Sequence, residues 1–330
     1  MNYKYYIGLD ISKTSIDYCF LQEGKPLVQG KIHNTLGGYK KLQAQARALN
    51  LSLKEVLFCL EHTGEYSKRV LKWLNQTEMK VWLESPLAIK RSLGLTRGKN
   101  DKVDAYRIAL YAYRFEDQAV LWEKPRLELE QLQQLTSWRK HLVGSVSSLE
   151  TRLKESQDHL DKRVVKSSQK ILKGLKEELK QVNDLIQAHI KKDKELSDQH
   201  KQVSSVHGVG KVLAAELMVT TNEFKRFSSA KQLACYAGVA PFEHRSGSSI
   251  RGKTRVSRLA NMGLKKLLHM AAISCLRKGN ELYEFYQKKV AQGKAKMAVI
   301  NAIRNKIIHR IFACVRDNRL YEKNMPPALA

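Results

Sequence analysis

Residues 3–33 read YKYYIGLDISKTSIDYCFLQEGKPLVQGKIH. YKYYIGLDI is a short apolar run with an acid, Asp10, at its end. SIDYCFLQ follows, then a Gly-Lys-Pro turn at Gly24–Pro26, then LVQGKIH. Short runs broken by turn residues predict an antiparallel meander of three strands. Further along, Asn34-Thr35-Leu36-Gly37-Gly38 reads as a turn and cap before a helix that reaches about residue 49. EVLFCLE predicts a buried strand ending at Glu61, YSKRVLKWLNQ an amphipathic helix, and KVWLE another strand. A last helix begins near Asp101 and runs through AYRIALYAYRF.

Three strands, then helix, strand, helix, strand, helix, is the order of a ribonuclease-H-like fold, although other α/β topologies give a similar string. In that fold the first and fourth strands are neighbours, so Asp10 and Glu61 meet at their ends. Asp101 and Asp104 stand three apart at a helix start and project from one face. Four converging carboxylates repel one another without a cation, and hard oxygen ligands suit Mg²⁺, two of which can grip the attacking and leaving oxygens of a phosphodiester. Taken singly, each acid reads as well as a cap or a solvated strand end; Asp101 would cap its helix and Asp104 complement the dipole. Gly64, Arg97 and Lys99 nearby suit a phosphate-bearing ligand.

The whole chain has 330 residues and a net charge of +27. Residues 1–120 carry +7, residues 121–202 carry +4, and residues 203–330 carry +16 on 23 basic and 7 acidic side chains. With so few acids in the last segment, a polyanion is the natural partner, because neutralising phosphates releases counterions. No run approaches the roughly 18 apolar residues of a membrane span, and the N-terminus has no signal-peptide pattern. Five single cysteines without a CxxC argue against a zinc site or a disulfide framework and suit a reducing cytoplasm.

Residues 125–200 hold almost no Gly or Pro, and Leu142, Val146, Leu149 and Leu153 give the spacing of an apolar seam that resumes at Leu175, Leu179, Val182 and Ile186. Val164-Val165-Lys166-Ser167-Ser168 breaks the register between them. Two long helices follow, as a hairpin or as an intermolecular coiled coil. Residues 203–330 read as mostly helical, with helices at about 261–278, 280–291 and 294–316. In SSVHGVGKVLAAELM, Gly208, Gly210 and Lys211 suit a helix-hairpin-helix-like motif whose backbone N–H groups face a phosphate, and a plain helix–turn–helix connection fits equally. FEHRSGSSIRGKTRVSR is too polar to bury, and its Arg245, Arg251, Lys253, Arg255 and Arg258 suit nucleic-acid phosphates. Tyr283 and Tyr286 read as helix packing, as no Arg/His set surrounds them; His207, His269 and His309 read as packed or phosphate-contacting; Trp73, Trp82, Trp122 and Trp138 read as core or interface. The helix from Gln292 has an apolar and a basic face, fit to lie on nucleic acid or to pack.

YIGLDIS, LEHTGEY and KNDKVDAYRIA resemble the three acidic blocks of the DEDD insertion-sequence transposases, and SVHGVGKVLAAEL, FSSAKQLACYAGVAP and SGSSIRGKTRVSR resemble that family's C-terminal domain. The resemblance implies a RuvC-like domain at 1–122, a coiled-coil linker at 123–202 and a transposase domain at 203–330. It implies metal-binding acids at Asp10, Glu61, Asp101 and Asp104, with Mg²⁺ as the metal. It places the nucleophilic serine on the first Ser of SGSS, Ser246; spacing alone does not choose it over Ser248 or Ser249. His62 stands where a small residue is expected. The implied partners are donor and target DNA, a noncoding bridge RNA that guides both, and further copies of the chain as a homodimer or homotetramer. The implied activity is RNA-guided recombination in the bacterial cytoplasm, at the nucleoid. A metal-dependent nuclease or Holliday-junction resolvase using water, or a non-enzymatic binding scaffold, competes with it.

Overall fold

The computed structural model describes residues 3–62, 64–92, 101–156, 159–246, 250–256 and 259–322. It divides into two compact units, Met1–Lys124 and Pro125–Ala330.

The first unit runs β1 (Tyr5–Ile11), β2 (Ser15–Gln22), β3 (Lys25–His33), α1 (Leu36–Ala48), β4 (Val56–Glu61), α2 (Lys68–Gln76), β5 (Lys80–Glu84), α3 (Pro86–Ser92) and α4 (Asp101–Arg114). The sheet order is β3-β2-β1-β4-β5. β2 is antiparallel to β1 and β3, while β4 runs parallel to β1 and β5 parallel to β4. This is the ribonuclease-H-like order expected from the sequence. Side chains alternate across the strands. Ile7, Leu9, Phe20, Phe58 and Leu60 pack with Val70 and Leu74 of α2 on one face. Tyr6, Cys19, Leu57, Cys59 and Trp82 pack with Ala105, Ile108 and Ala109 of α4 on the other.

The β2–β3 turn falls at Glu23 and Gly24, two residues at positive φ, and not at Gly24–Pro26. A tight hairpin matches strand twist only with both central residues left-handed. Pro26 therefore sits inside β3, an edge strand, where a missing N–H is tolerated. Thr35 caps α1, accepting from Gly38 N.

The second unit runs α5 (Leu127–Glu155), α6 (Lys162–Lys192), α7 (Lys194–Ser205), α8 (Lys211–Thr221), α9 (Ala230–Tyr236), β6 (Pro241–Ser246), β7 (Ile250–Val256), α10 (Met262–Ser274), α11 (Glu281–Ala291) and α12 (Lys296–Arg316). The apolar seam of α5 and α6 closes within the chain, with Leu129, Leu132 and Leu142 packed in one cluster with Val182, Ile186 and Ile190. The register break lies earlier than Val164–Ser168, which is helical; α6 starts at Lys162 because Asp161 accepts from Arg163 N and caps it. The polar segment after Pro241 forms a two-stranded ribbon. α12 proves to be a core helix: Ile300, Ile303, Ile307, Ile308 and Ile311 bury against α7, α9 and α10 residues. Among the described residues, no helix is long and apolar enough to cross a membrane.

His200 is buried, and burial holds its pKa below the ordinary 6.5, as it does for the half-buried His309. Below about pH 6.5 the unfolded chain therefore binds more protons than the folded one, so these residues make stability fall as pH falls through that value. Thermal melts at pH 5.5 and 7.5 should show a lower Tm at the acid end. His200→Gln should narrow the gap; an unchanged gap would remove His200 from the account.

Candidate functional site

β1 and β4 are adjacent and parallel, with Leu9 opposite Leu60, so the next residues, Asp10 and Glu61, stand side by side at the strands' C-terminal ends. In open α/β sheets that edge is where ligands collect. Alternation puts both acids on the face that α4 covers, because Leu9 and Leu60 belong to the opposite core. α4 crosses that face closely at Gly8: a Cβ there would lie 2.2 Å from Ala105 O and 2.4 Å from Ala109 N. Asp104 is the residue before Ala105, and this approach brings it to the other two acids.

Glu61 carries the electrostatic mark of the arrangement. Its carboxyl pKa is raised, first by burial and then by the charges of Asp10 and Asp104. Asp104 keeps partial compensation through Arg107, whose Nη1 donates to Oδ1 at 2.9 Å. Among the described residues no three His, Cys, Asp or Glu side chains form a ready metal cage. Three carboxylates at one strand edge, two of whose charges oppose ionisation of the third, Glu61, are nonetheless a donor set suited to a hard divalent cation. Asp101 is the first residue of α4, one turn before Asp104; its side chain, with Arg97 and Lys99, lies outside the described residues. Gly64 sits in the turn after β4 at φ +70 with open space where a Cβ would go. The His62 backbone N–H donates to Glu84 O at 3.0 Å and continues the β4–β5 pairing.

Sequence reading missed Glu84. It closes β5 directly opposite Glu61 and adds a further carboxylate to the same strand ends. Tyr111 of α4 donates its hydroxyl to Glu84 Oε2 at 3.2 Å, and Ser85 N donates to Oε1 at 2.6 Å. Burial and the Glu84 charge push the Tyr111 phenol far up, so it stays a donor. The available signal was an acid at the end of a third strand of the same sheet.

In the second unit, Gly208 turns the chain between α7 and α8 at φ +86, and a Cβ there would lie 2.4 Å from Ala271 O. Gly210 caps α8 without a side chain and has open space around it; Lys211 is exposed, and its carbonyl is 3.3 Å from His200 Nε2. Ser246 ends β6 opposite Ile250, and Arg245 lies directly opposite Arg251. Arg255 pairs with Phe242, and Lys253 lies in β7. Gly247, Ser248, Ser249, Ser257 and Arg258 lie outside the described residues.

The remaining residues read as packing. Tyr286 packs against the second unit's core, and Tyr283 Oη accepts from Gln287 at 3.0 Å. His269 Nδ1 accepts from Arg304 at 2.7 Å, and His207 meets the Tyr321 ring edge-on. Trp73 and Trp82 are buried, while Trp138 is exposed and stacks on His141.

Known proteins share these segments. Residues 7–163 match a transposase model of the DEDD, IS110 type, and residues 200–287 match the model of the IS116/IS110/IS902 transposase family. Over 98% of this chain and 99% of the other, the sequence is 28% identical to the pilin gene-inverting protein of Moraxella bovis. It is 32% identical over 146 residues, 44% of this chain and 34% of the other, to the uncharacterized 43.6 kDa protein of insertion element IS110 from Streptomyces coelicolor. T. thermophilus RuvC in complex with a Holliday junction substrate aligns with 36% of this chain and all of its own, at 13% identity and a TM-score of 0.27.

Proposed function

Because the chain belongs to the DEDD insertion-sequence transposases, enzymes that cleave and rejoin DNA, we propose that it exchanges DNA strands through a serine nucleophile, Ser246, under the guidance of a noncoding RNA. The observation that carries the reading is the convergence of Asp10, Glu61 and Asp104 at the edge of a ribonuclease-H-like sheet, felt in the raised pKa of Glu61. Asp10, Glu61, Asp104 and Asp101 are the residues that would hold the divalent metal the family implies, Mg²⁺ in our reading. Such an ion supplies charge neutralisation at the reacting phosphate. One relative bears a name for inverting a gene, and inversion requires that every cut strand be rejoined.

In the reaction, Ser246 Oγ loses its proton and bonds to phosphorus, and a sugar oxygen leaves and takes up a proton. The phosphoserine ester keeps the energy of the broken bond, and the hydroxyl of the incoming strand reverses the step, so no nucleotide hydrolysis is needed. Arg245 and Arg251, in register beside the serine, hold the phosphate and stabilise its transition-state charge. Arg255, Lys253 and Arg258, and the α7–α8 turn with Gly208, Gly210 and Lys211 as a helix-hairpin-helix-like element, hold the nucleic-acid backbone. The +16 excess over residues 203–330 supports a load larger than one duplex, which suits donor DNA, target DNA and a guide RNA together. The functional segments are 1–122, 123–202 and 203–330. Two duplexes are best paired by an even number of subunits, a homodimer or homotetramer.

The test is a covalent-adduct trap. The protein is expressed with its neighbouring noncoding DNA, given a junction substrate and Mg²⁺, and denatured. DNA should remain attached to the wild type and not to Ser246→Ala. Cleaved DNA without an adduct, surviving Ser246→Ala, would make the protein a hydrolytic nuclease or junction resolvase instead.

A further inference from the structure

The first 19 residues of α6, Lys162–Lys180, contain seven Lys or Arg and two Glu. At 100° per residue, Arg163, Lys166, Lys170, Lys173, Lys176 and Lys180 fall in one sector of about 140°. Leu172, Leu175, Leu179 and Val182 fall in the neighbouring sector, and the last three join the seam with α5. The six basic side chains are exposed. They border one another along two adjoining shallow grooves, the first running from Arg163 to Lys173 and the second from Lys173 to Lys180, where Glu177 also lines it. Arg163 pairs with Asp161, and Lys176 with Glu150, both at the surface. Among the described residues Lys166, Lys170, Lys173 and Lys180 form no ion pair shown within 4 Å.

A merely solubilising surface intersperses signs. This one lines up six positive charges, with Glu177 the one acid among them, over about 26 Å of straight helix, at 1.5 Å per residue. B-DNA presents one charge per about 1.7 Å of its axis, so the stripe matches the backbone of somewhat less than one turn of duplex. The face carries no aromatic residue from Lys162 to Lys192, so it has nothing on which unpaired bases would stack. Lysines are point charges that hold phosphates without reading bases.

We propose that this face of α6 is a docking surface for duplex DNA, gripping the phosphate backbone independently of sequence. The choice of DNA rests on the family's activity; the surface itself rests on the stripe. Its effect is to add affinity and a steep salt dependence while leaving the choice of exchange site to other parts of the complex.

The test uses the full-length protein and a 30-bp DNA duplex of arbitrary sequence, with binding followed by fluorescence anisotropy from 50 to 300 mM NaCl. Gln keeps helix propensity close to that of Lys, so the combined variant Lys166→Gln, Lys170→Gln, Lys173→Gln, Lys180→Gln should melt at the wild-type temperature. It should bind at least about tenfold more weakly at 150 mM NaCl. Its log–log salt slope should fall by about 3 to 4, at roughly 0.9 per lost phosphate contact. A second variant removes the same charge from Lys191, Lys192, Lys194 and Lys201, beyond the stripe, and should change the slope by less than about 1. Equal losses in the two variants would mean diffuse charge and overturn the proposal. So would wild-type behaviour in the first, or a loss seen with an RNA duplex and not with DNA. Each of those failures leaves the acidic centre untouched, because the adduct trap with Ser246→Ala tests that separately.

Discussion

Asp10→Asn should lower Mg²⁺-dependent strand cleavage at least about a thousandfold, roughly 4 kcal/mol of barrier, while duplex binding stays within about threefold. The substitution removes one charge and keeps the shape of the side chain. Asp10 lies next to the last residue of β1, beside Glu61, and its charge is one of the causes that hold the Glu61 carboxyl high. Removing it relieves repulsion that the folded protein bears without a cation. The variant should therefore melt at a temperature equal to or above the wild type in EDTA. The wild type should gain Tm on adding Mg²⁺, because an ion that binds only the folded state stabilises it by mass action. The variant should lose most of that gain. Glu61→Gln should behave alike. Glu84→Gln should cost much less, because both Glu84 oxygens already accept from Tyr111 and Ser85. Near-normal cleavage by Asp10→Asn, with the Mg²⁺-induced Tm gain intact, would reduce these acids to strand-end solvation.

Asp10 and Glu61 were legible because each closes an apolar run, and such runs are the strongest signal a short strand gives. SIDYCFLQ and KVWLE coincide with β2 and β5 residue for residue. Strand order was legible only through the succession of elements, since pairing of β1 with β4 leaves no local mark. Glu84 was missed because its importance lies in its register with Glu61, a property of two strands and not of either one. The β2–β3 turn was placed too late because proline signals a turn locally, while the edge position that tolerates Pro26 is a feature of the whole sheet. β6 and β7 were unreadable for a related reason. IRGKTRV lacks the apolar alternation that marks a half-buried strand, so its strand left no mark in the sequence. The α5–α6 seam showed its spacing in the sequence but not its partner, because identical knobs close on a neighbouring helix or on another chain. Only the packing of Leu142 with Val182 and Ile186 decides it.

Gly8 ties the fold to the chemistry, and Gly8→Ala should disable both. The residue lies mid-strand with an ordinary φ, so the requirement for glycine comes from space and not from backbone conformation. The atoms in the way, Ala105 O at 2.2 Å and Ala109 N at 2.4 Å, are main chain of α4. No rotamer change relieves them, and trimming Ala105 to glycine would not help. α4 must move outward by about 1 Å to restore contact distances, which opens the packing of Ala105, Ile108 and Ala109 against Leu57 and Cys59. Overpacking of this kind costs about 3 kcal/mol. The first unit holds Trp73, Trp82 and Trp122, so tryptophan fluorescence in urea reports chiefly on it. The same displacement carries Asp104 away from Asp10 and Glu61. Cleavage should therefore fall by more than the folded fraction does, at least about tenfold under conditions where the variant is still folded. Gly174→Ala supplies the contrast. It lies inside α6 with nothing within 4 Å of the added methyl, and the change should stabilise by about 0.5–1 kcal/mol through helix propensity alone. If Gly8→Ala kept wild-type stability and cleavage, α4 would not be held against β1 at that point, and the route by which Asp104 reaches the acidic centre would have to be different.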